Sequence, residues 1–71
     1  MVMQRLRTLR EDRGLTQTDI SKVLGITQKA YSNYETGQRA IPLGSLIKMA
    51  RYFGTSTDYL LGMTDKSKPY K

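Results

Sequence analysis

The 71-residue chain contains no cysteine and no histidine. Without cysteine there is no disulfide to staple a small fold and no thiolate to hold a metal. Without histidine the commonest zinc ligand and the usual general base near neutral pH are also missing. The six carboxylates are scattered over separate segments and form no visible nucleophile–base pair or metal cluster. The chain is therefore not expected to be an enzyme, and no metal or cofactor is expected. No apolar run approaches the roughly 18 residues that would suggest a membrane span. The arginines near the N-terminus have no apolar stretch behind them, which argues against a signal peptide. With cysteine absent as well, a cytoplasmic location is the expectation.

Negative charge is also scarce. Twelve Lys and Arg stand against six Asp and Glu, for a net charge of +6. That balance favours a polyanionic partner, nucleic acid before anionic lipid. It does not locate a site, because the excess is spread along the chain. The first fifteen residues hold four arginines against Glu11 and Asp12, and the last nine hold three lysines against Asp65.

At this length a single domain is expected, near the lower limit at which a core alone suffices. Gly14, Gly25, Gly37, Gly54 and Gly62 each follow a segment of helical periodicity, the pattern of helices closed by a left-handed residue. No segment alternates over strand length, so an all-α fold of five short helices is predicted. Helix 1 is expected from about Met3 to Arg13. Helix 2 follows Thr16, an N-cap with Asp19 three residues on, as in a capping box. Helix 3 follows Thr27 and ends near Glu35. Helix 4 is expected from Leu43 to Phe53, with Leu43, Leu46, Ile47, Ala50 and Phe53 on one apolar stripe. Helix 5 starts after Ser56 or Thr57 and carries Tyr59, Leu60 and Leu61. Residues 1–63 form the expected domain, and residues 64–71 a polar tail. The predicted core is Leu6, Leu9, Leu15, Ile20, Val23, Leu24, Ile26, Tyr31, Tyr34, Leu46, Ile47, Ala50, Phe53 and Leu60.

The segment Gln17–Glu35 carries the functional signal. Only Gly25, Ile26 and Thr27 separate helices 2 and 3, so the chain must turn sharply, with Ile26 plugging the angle. At about 100° per residue, Ile26, Ala30, Tyr31 and Tyr34 fall on one side of helix 3. Gln28, Lys29, Ser32 and Asn33 fall on the other. A glutamine amide can bond adenine at two points, and lysine can donate to guanine. Serine and asparagine can reach a base or a phosphate. The residues Thr16-Gln17 and Thr27-Gln28 open two helices whose free N–H groups suit phosphate oxygens. Arg39, in the loop after helix 3, can add a positive charge there.

In combination these stretches are specific. "LRTLREDRGLTQTDISKVLGITQKAYSNYETGQR" followed by "LIKMARYFGTSTDYLLG" resembles the Cro/cI-type helix-turn-helix regulators of bacteria and phages over about residues 3–63. The resemblance implies a five-helix, lambda-repressor-like domain that binds operator double-stranded DNA as a homodimer and regulates transcription, commonly as a repressor. It makes helix 3 the recognition helix. Gln28, Lys29, Ser32 and Asn33 match its DNA-facing positions, and Gln17 matches a phosphate-contacting one. It also implies a pairing of Arg10 with Glu35 that joins helix 1 to the end of helix 3. Three positions depart from the family pattern. Tyr31 replaces a β-branched aliphatic, which predicts a bulkier or partly exposed side of helix 3. Ser21 replaces a common alanine, and Gly44 a typical helix former. The surplus apolar residues of helix 5 predict a dimer contact at Tyr59, Leu61 and Met63. The competing reading is a protein-binding adaptor or antitoxin-like module on the same fold. Neither the operator nor any small-molecule inducer can be read from the chain.

Overall fold

The computed structural model describes residues 3–67. Residues 1–2 of the expected domain and 68–71 of the expected tail lie outside the described residues. Five helices follow in order: α1 (Gln4–Asp12), α2 (Gln17–Leu24), α3 (Gln28–Thr36), α4 (Leu43–Phe53) and α5 (Thr57–Leu60). No strand occurs among the described residues.

Local chemistry sets the boundaries. α2, α3 and α5 each begin at a hydroxyl residue, Thr16, Thr27 and Ser56, whose side chain accepts from a backbone N–H in the first turn. α2 closes at Gly25, in the left-handed region at φ 70°. Gly25 N–H donates to Lys22 O and Ile26 N–H to Ser21 O, the paired bonds of a Schellman ending. That ending delivers Thr27 directly to its role as the cap of α3. The turn between α2 and α3 is thus built from two adjacent caps with no slack.

The core holds Met3, Leu6, Ile20, Tyr31, Leu46, Met49, Ala50, Phe53 and Leu60. Leu9, Leu15, Val23, Leu24 and Ile26 pack against it half-buried, and Tyr34 is also half-buried. The structure corrects the expected stripe of α4. Leu43 is 70% exposed and Ile47 38%, while Met49 is fully buried. The buried arc is Leu46, Met49, Ala50 and Phe53, so the helix is rolled toward Met49. Leu43 and Ile47 lie on the outer flank of that arc, and the flexible thioether fills the space below it. Tyr31 is wholly buried, as its place in the predicted core required; of the two outcomes expected from its departure from the family pattern, bulk rather than partial exposure is the one found.

Three of the four arginines of the first fifteen residues are structural. Arg13 donates to Tyr52 O and Phe53 O, at 3.3 and 2.9 Å, and lies over the Phe53 ring at 4.9 Å. Arg5 lies over the Tyr59 ring at 4.3 Å and donates to Tyr59 O at 3.1 Å. Arg5 also donates to Thr64 O and pairs with Asp65 at 2.7 Å. Each guanidinium thereby covers terminal carbonyls of a helix, where positive charge is favoured, and an aromatic face. Beyond Gly62, Ser67 O accepts from the Thr55 hydroxyl, so residues up to Ser67 touch the domain.

The third is Arg10. Its Nε donates to Glu35 Oε2 at 2.9 Å and its Nη2 to Glu35 Oε1 at 3.0 Å, both within the buried region, while Nη1 donates to Leu15 O at 2.8 Å. Burial alone would raise the Glu35 carboxyl. The hydrogen bonds from Arg10, the adjoining Tyr31 hydroxyl, the Gln17 amide and the guanidinium charge outweigh it and hold the carboxyl below its ordinary range. The Arg10 guanidinium is raised in turn, chiefly by its bond to Glu35. Tyr31 sits against this pair. Burial, and then the neighbouring carboxylate, push its phenol far above the usual range. Its hydroxyl has no hydrogen bond of sound geometry to the protein.

Two predictions follow from this buried cluster. Glu35→Ala is expected to lose on the order of 3 kcal/mol, because it strands a buried guanidinium. The Arg10→Ala/Glu35→Ala double variant is expected to lose clearly less than the sum of the singles in denaturant titrations. Because the folded carboxyl is depressed below its unfolded value of about 4.3, its contribution is present at neutral pH. It is lost as pH falls through the folded value, so the gap between native chain and Glu35→Ala should close in strong acid. Tyr31→Phe removes a desolvated, unpartnered hydroxyl and should leave thermal stability within about 1 kcal/mol of the native chain, or above it. A loss of several kcal/mol would mean that this hydroxyl is bonded.

Candidate nucleic-acid interface

The starts of α2 and α3 form the scaffold of the site. Thr16 Oγ1 accepts from Asp19 N–H at 3.1 Å, and Asp19 Oδ2 accepts from Thr16 N–H at 2.8 Å, closing a full capping box. The Thr16 backbone N–H, then its side chain, hold the exposed Asp19 carboxyl below its usual range. Thr27 Oγ1 accepts from Ala30 N–H at 3.1 Å. Thr27 accepts through its oxygen and so keeps a hydroxyl proton for an anion, whereas the Thr16 hydroxyl faces the Asp19 carboxylate. The two ends differ in charge: Asp19 sits in the first turn of α2, whereas α3 has no acidic residue in its first turn.

Along α3, Gln28 and Lys29 are exposed, Ser32 and Asn33 are half-exposed, and Tyr31 and Glu35 are buried. These four polar residues line one outer edge. The one carboxylate of the helix points the other way, into Arg10. The outer edge therefore carries amide, ammonium and hydroxyl groups with no negative charge among them.

Gln17, expected at a phosphate, has its side chain engaged within the protein. Its Nε2 donates to Glu35 Oε1 at 3.4 Å, and its Oε1 accepts from Gln28 Nε2. A chain of contacts thus runs from Arg10 through Glu35 and Gln17 to Gln28. It joins α1, the end of α3, the start of α2 and the start of α3. This link was missed in the sequence, although a signal for it exists: Gln17 and Gln28 occupy the same first position after a threonine cap in two successive helices. Of the first-turn N–H groups of α2, that of Asp19 is taken by the Thr16 cap.

Arg39 is exposed, and its guanidinium pairs with no carboxylate among the described residues. Its backbone N–H donates to Asn33 O at 3.1 Å, which ties the loop to the end of α3. The three apolar residues of the α5 region diverge. Tyr59 is half-buried under Arg5, Leu61 is half-buried against the core, and Met63 is 74% exposed.

Residues 6–60 match the helix-turn-helix family model. The chain is 39% identical over 69 residues to the uncharacterized HTH-type transcriptional regulator YobD of Bacillus subtilis, covering 97% of this chain and 62% of that protein. It is 37% identical over 65 residues to the HTH-type transcriptional regulator ImmR of the same organism, covering 92% of this chain and 51% of that one. A prophage-derived regulator of that organism, YonR, is 38% identical over 61 residues, 86% of this chain and 56% of its own length. The chain therefore spans between half and about two thirds of these relatives. No solved structure gives a significant match. The matched relatives are regulators rather than enzymes, and the match spans the two-cap turn and all five helices: the chain belongs to the Cro/cI-type helix-turn-helix family of transcriptional regulators.

Proposed function

We propose that this domain binds operator DNA as a homodimer, with α3 in the major groove, and represses transcription from the promoter it covers. The observation that carries the reading is the outer edge of α3. Four hydrogen-bonding side chains stand there without a carboxylate, because Glu35 is turned inward to Arg10. Gln28, Lys29, Ser32 and Asn33 read base edges in this arrangement. One N–H of Gln28 is held by Gln17, which leaves its carbonyl oxygen and second N–H to face a base, a set that suits adenine. Thr27 offers a hydroxyl proton to a phosphate, Thr16 caps the start of α2 that borders it, Gln17 gives its backbone N–H, and Arg39 its charge. The repressor role rests on the resemblance to Cro and cI regulators. A promoter–reporter fusion tests it, since expression that rises with the protein would reverse the sign.

A lost base contact costs about 1–3 kcal/mol on the correct site and little elsewhere. Gln28→Ala is therefore expected to relax preference at one base pair per half-site while non-specific binding stays nearly intact. Arg39→Ala should instead weaken operator and random duplex together and flatten the salt dependence by about one unit of slope. Titration of both variants against both duplexes at several salt concentrations separates the roles. Equal weakening of both duplexes by Gln28→Ala would remove that residue from the groove.

In the dimer, Leu61 and Met63 supply the apolar contact, and Tyr59, fixed under Arg5, borders it. Half-sites should then lie about 34 Å apart, one turn of DNA. Sedimentation with operator is expected to show two chains per duplex, and Met63→Glu to reduce that to one at the same concentration. One native chain per duplex, with no half-site symmetry in the footprint, would overturn the dimer.

A further inference from the structure

A cavity of about 410 Å³ opens beside the C-terminal end of α3. That is within the range of roughly 300–1,000 Å³ seen for small-molecule sites. Its floor is apolar, made by Met3 and Leu46, which are buried, and by Ile41 and Leu61, which are half-buried. Tyr34 forms one wall, and among the described residues Arg39 is the only charged one that lines it. A helix C-terminus normally repels an anion. Here three of the last four carbonyls of α3 are occupied: Asn33 O accepts from Arg39 N–H, Tyr34 O from Gly37 N–H and Glu35 O from Met3 N–H. Among the described residues, the remaining charge at the cavity is the Arg39 guanidinium, which pairs with no carboxylate there, on a chain with a net charge of +6.

We propose that this cavity binds a small amphipathic monocarboxylate, with its hydrocarbon tail over Met3 and Leu46 and its carboxylate on Arg39, and that occupancy weakens DNA binding. The proposal deepens the DNA-binding reading and rests on it for its regulatory half alone. An apolar floor recognises the tail, and a single guanidinium recognises one carboxylate by a charge-assisted bond. The same guanidinium is the group proposed to hold a DNA phosphate, so the two anions compete for it. The backbone bond from Arg39 to Asn33 extends the competition to the groove-facing edge of α3.

Decanoate below its micelle concentration is the probe, with decanol as its uncharged counterpart. Calorimetric titration of the 71-residue chain without DNA is expected to show one saturable site, with decanol bound about tenfold more weakly. Ala40→Trp places an indole at the cavity mouth from an exposed position and should abolish binding. Arg39→Gln should weaken decanoate about tenfold and erase its advantage over decanol. Arg51→Gln, exposed and outside the cavity, should change neither. Uptake that does not saturate, or that falls equally in Arg51→Gln, would reduce the effect to adsorption on a basic surface and overturn the site. Binding confined to the monomer in sedimentation would assign the cavity to the dimer contact and overturn it too. Decanoate should also weaken operator binding by the native chain and leave Ala40→Trp unaffected. One-to-one binding with unchanged operator affinity would overturn the regulatory half. A chain that never binds DNA would overturn the DNA-binding reading and leave the ligand titration to be judged by itself.

Discussion

The position of α3 depends on one buried contact, the two-point ion pair between Arg10 and Glu35. Taking two charges out of water is costly, and such pairs are weak contributors to net stability. Their strength lies in the penalty for any arrangement that separates them. Arg10 is fixed on α1 and also holds Leu15 O, in the segment that leads to α2. Glu35 lies in the last turn of α3. Any rotation of α3 that turned Glu35 outward would strand the guanidinium in the core. The pair therefore sets which edge of α3 faces solvent, and so which side chains are presented there. The Tyr31 ring, packed beneath, adds apolar bulk to the same orientation.

The same arithmetic changes how the basic charge should be read. A net charge of +6 favours a polyanion, but Arg5, Arg10 and Arg13 are spent inside the molecule on helix ends, aromatic faces and the buried carboxylate. Arg7 adds an exposed contact to Glu11, four residues on, at 3.6 Å, of a kind worth little. The free cations of the described chain lie elsewhere, among them Lys29 and Arg39 on either side of the outer edge of α3. Two of the three structural arginines pair with carboxylates, Arg5 with Asp65 and Arg10 with Glu35, so positive and negative charge are taken up together there and the rest of the chain keeps its positive excess.

Much of the fold was legible because it is written in local chemistry. Hydroxyl caps, left-handed glycines and the three-residue link between α2 and α3 each act within a few residues, and they set the starts of α2, α3 and α5 and the ends of α2, α3 and α4. The roll of α4 was not legible. Leu43, Leu46, Ile47, Ala50 and Phe53 make a regular stripe, but which flank of it meets the core depends on the shape of the space below. That space suits Met49, a residue type whose flexibility leaves a weak periodic signal. Tyr31 was legible as a core residue from its place on the inner arc of α3, but the room for its bulk was not. The outward residues of α3 could be read from spacing alone. The anchoring of Gln28 by Gln17 could not, since it needs the starts of two helices brought side by side.

That anchoring also has a direction, and the buried pair imposes it. An ionised carboxylate can only accept hydrogen bonds. Glu35 therefore takes the NH₂ end of the Gln17 amide, which turns the Gln17 carbonyl oxygen outward. An outward carbonyl can only accept, so Gln28 must offer its own NH₂ end in turn. Reversing the Gln17 amide would set oxygen against oxygen at Glu35, at the loss of a bond in a partly desolvated place, while reversing Gln28 would lose an exposed one. The charge on Glu35, itself held by Arg10, thus fixes the orientation of an exposed amide two contacts away. A side chain that would rotate freely in water is given one donor and acceptor pattern by a carboxylate that never reaches the surface.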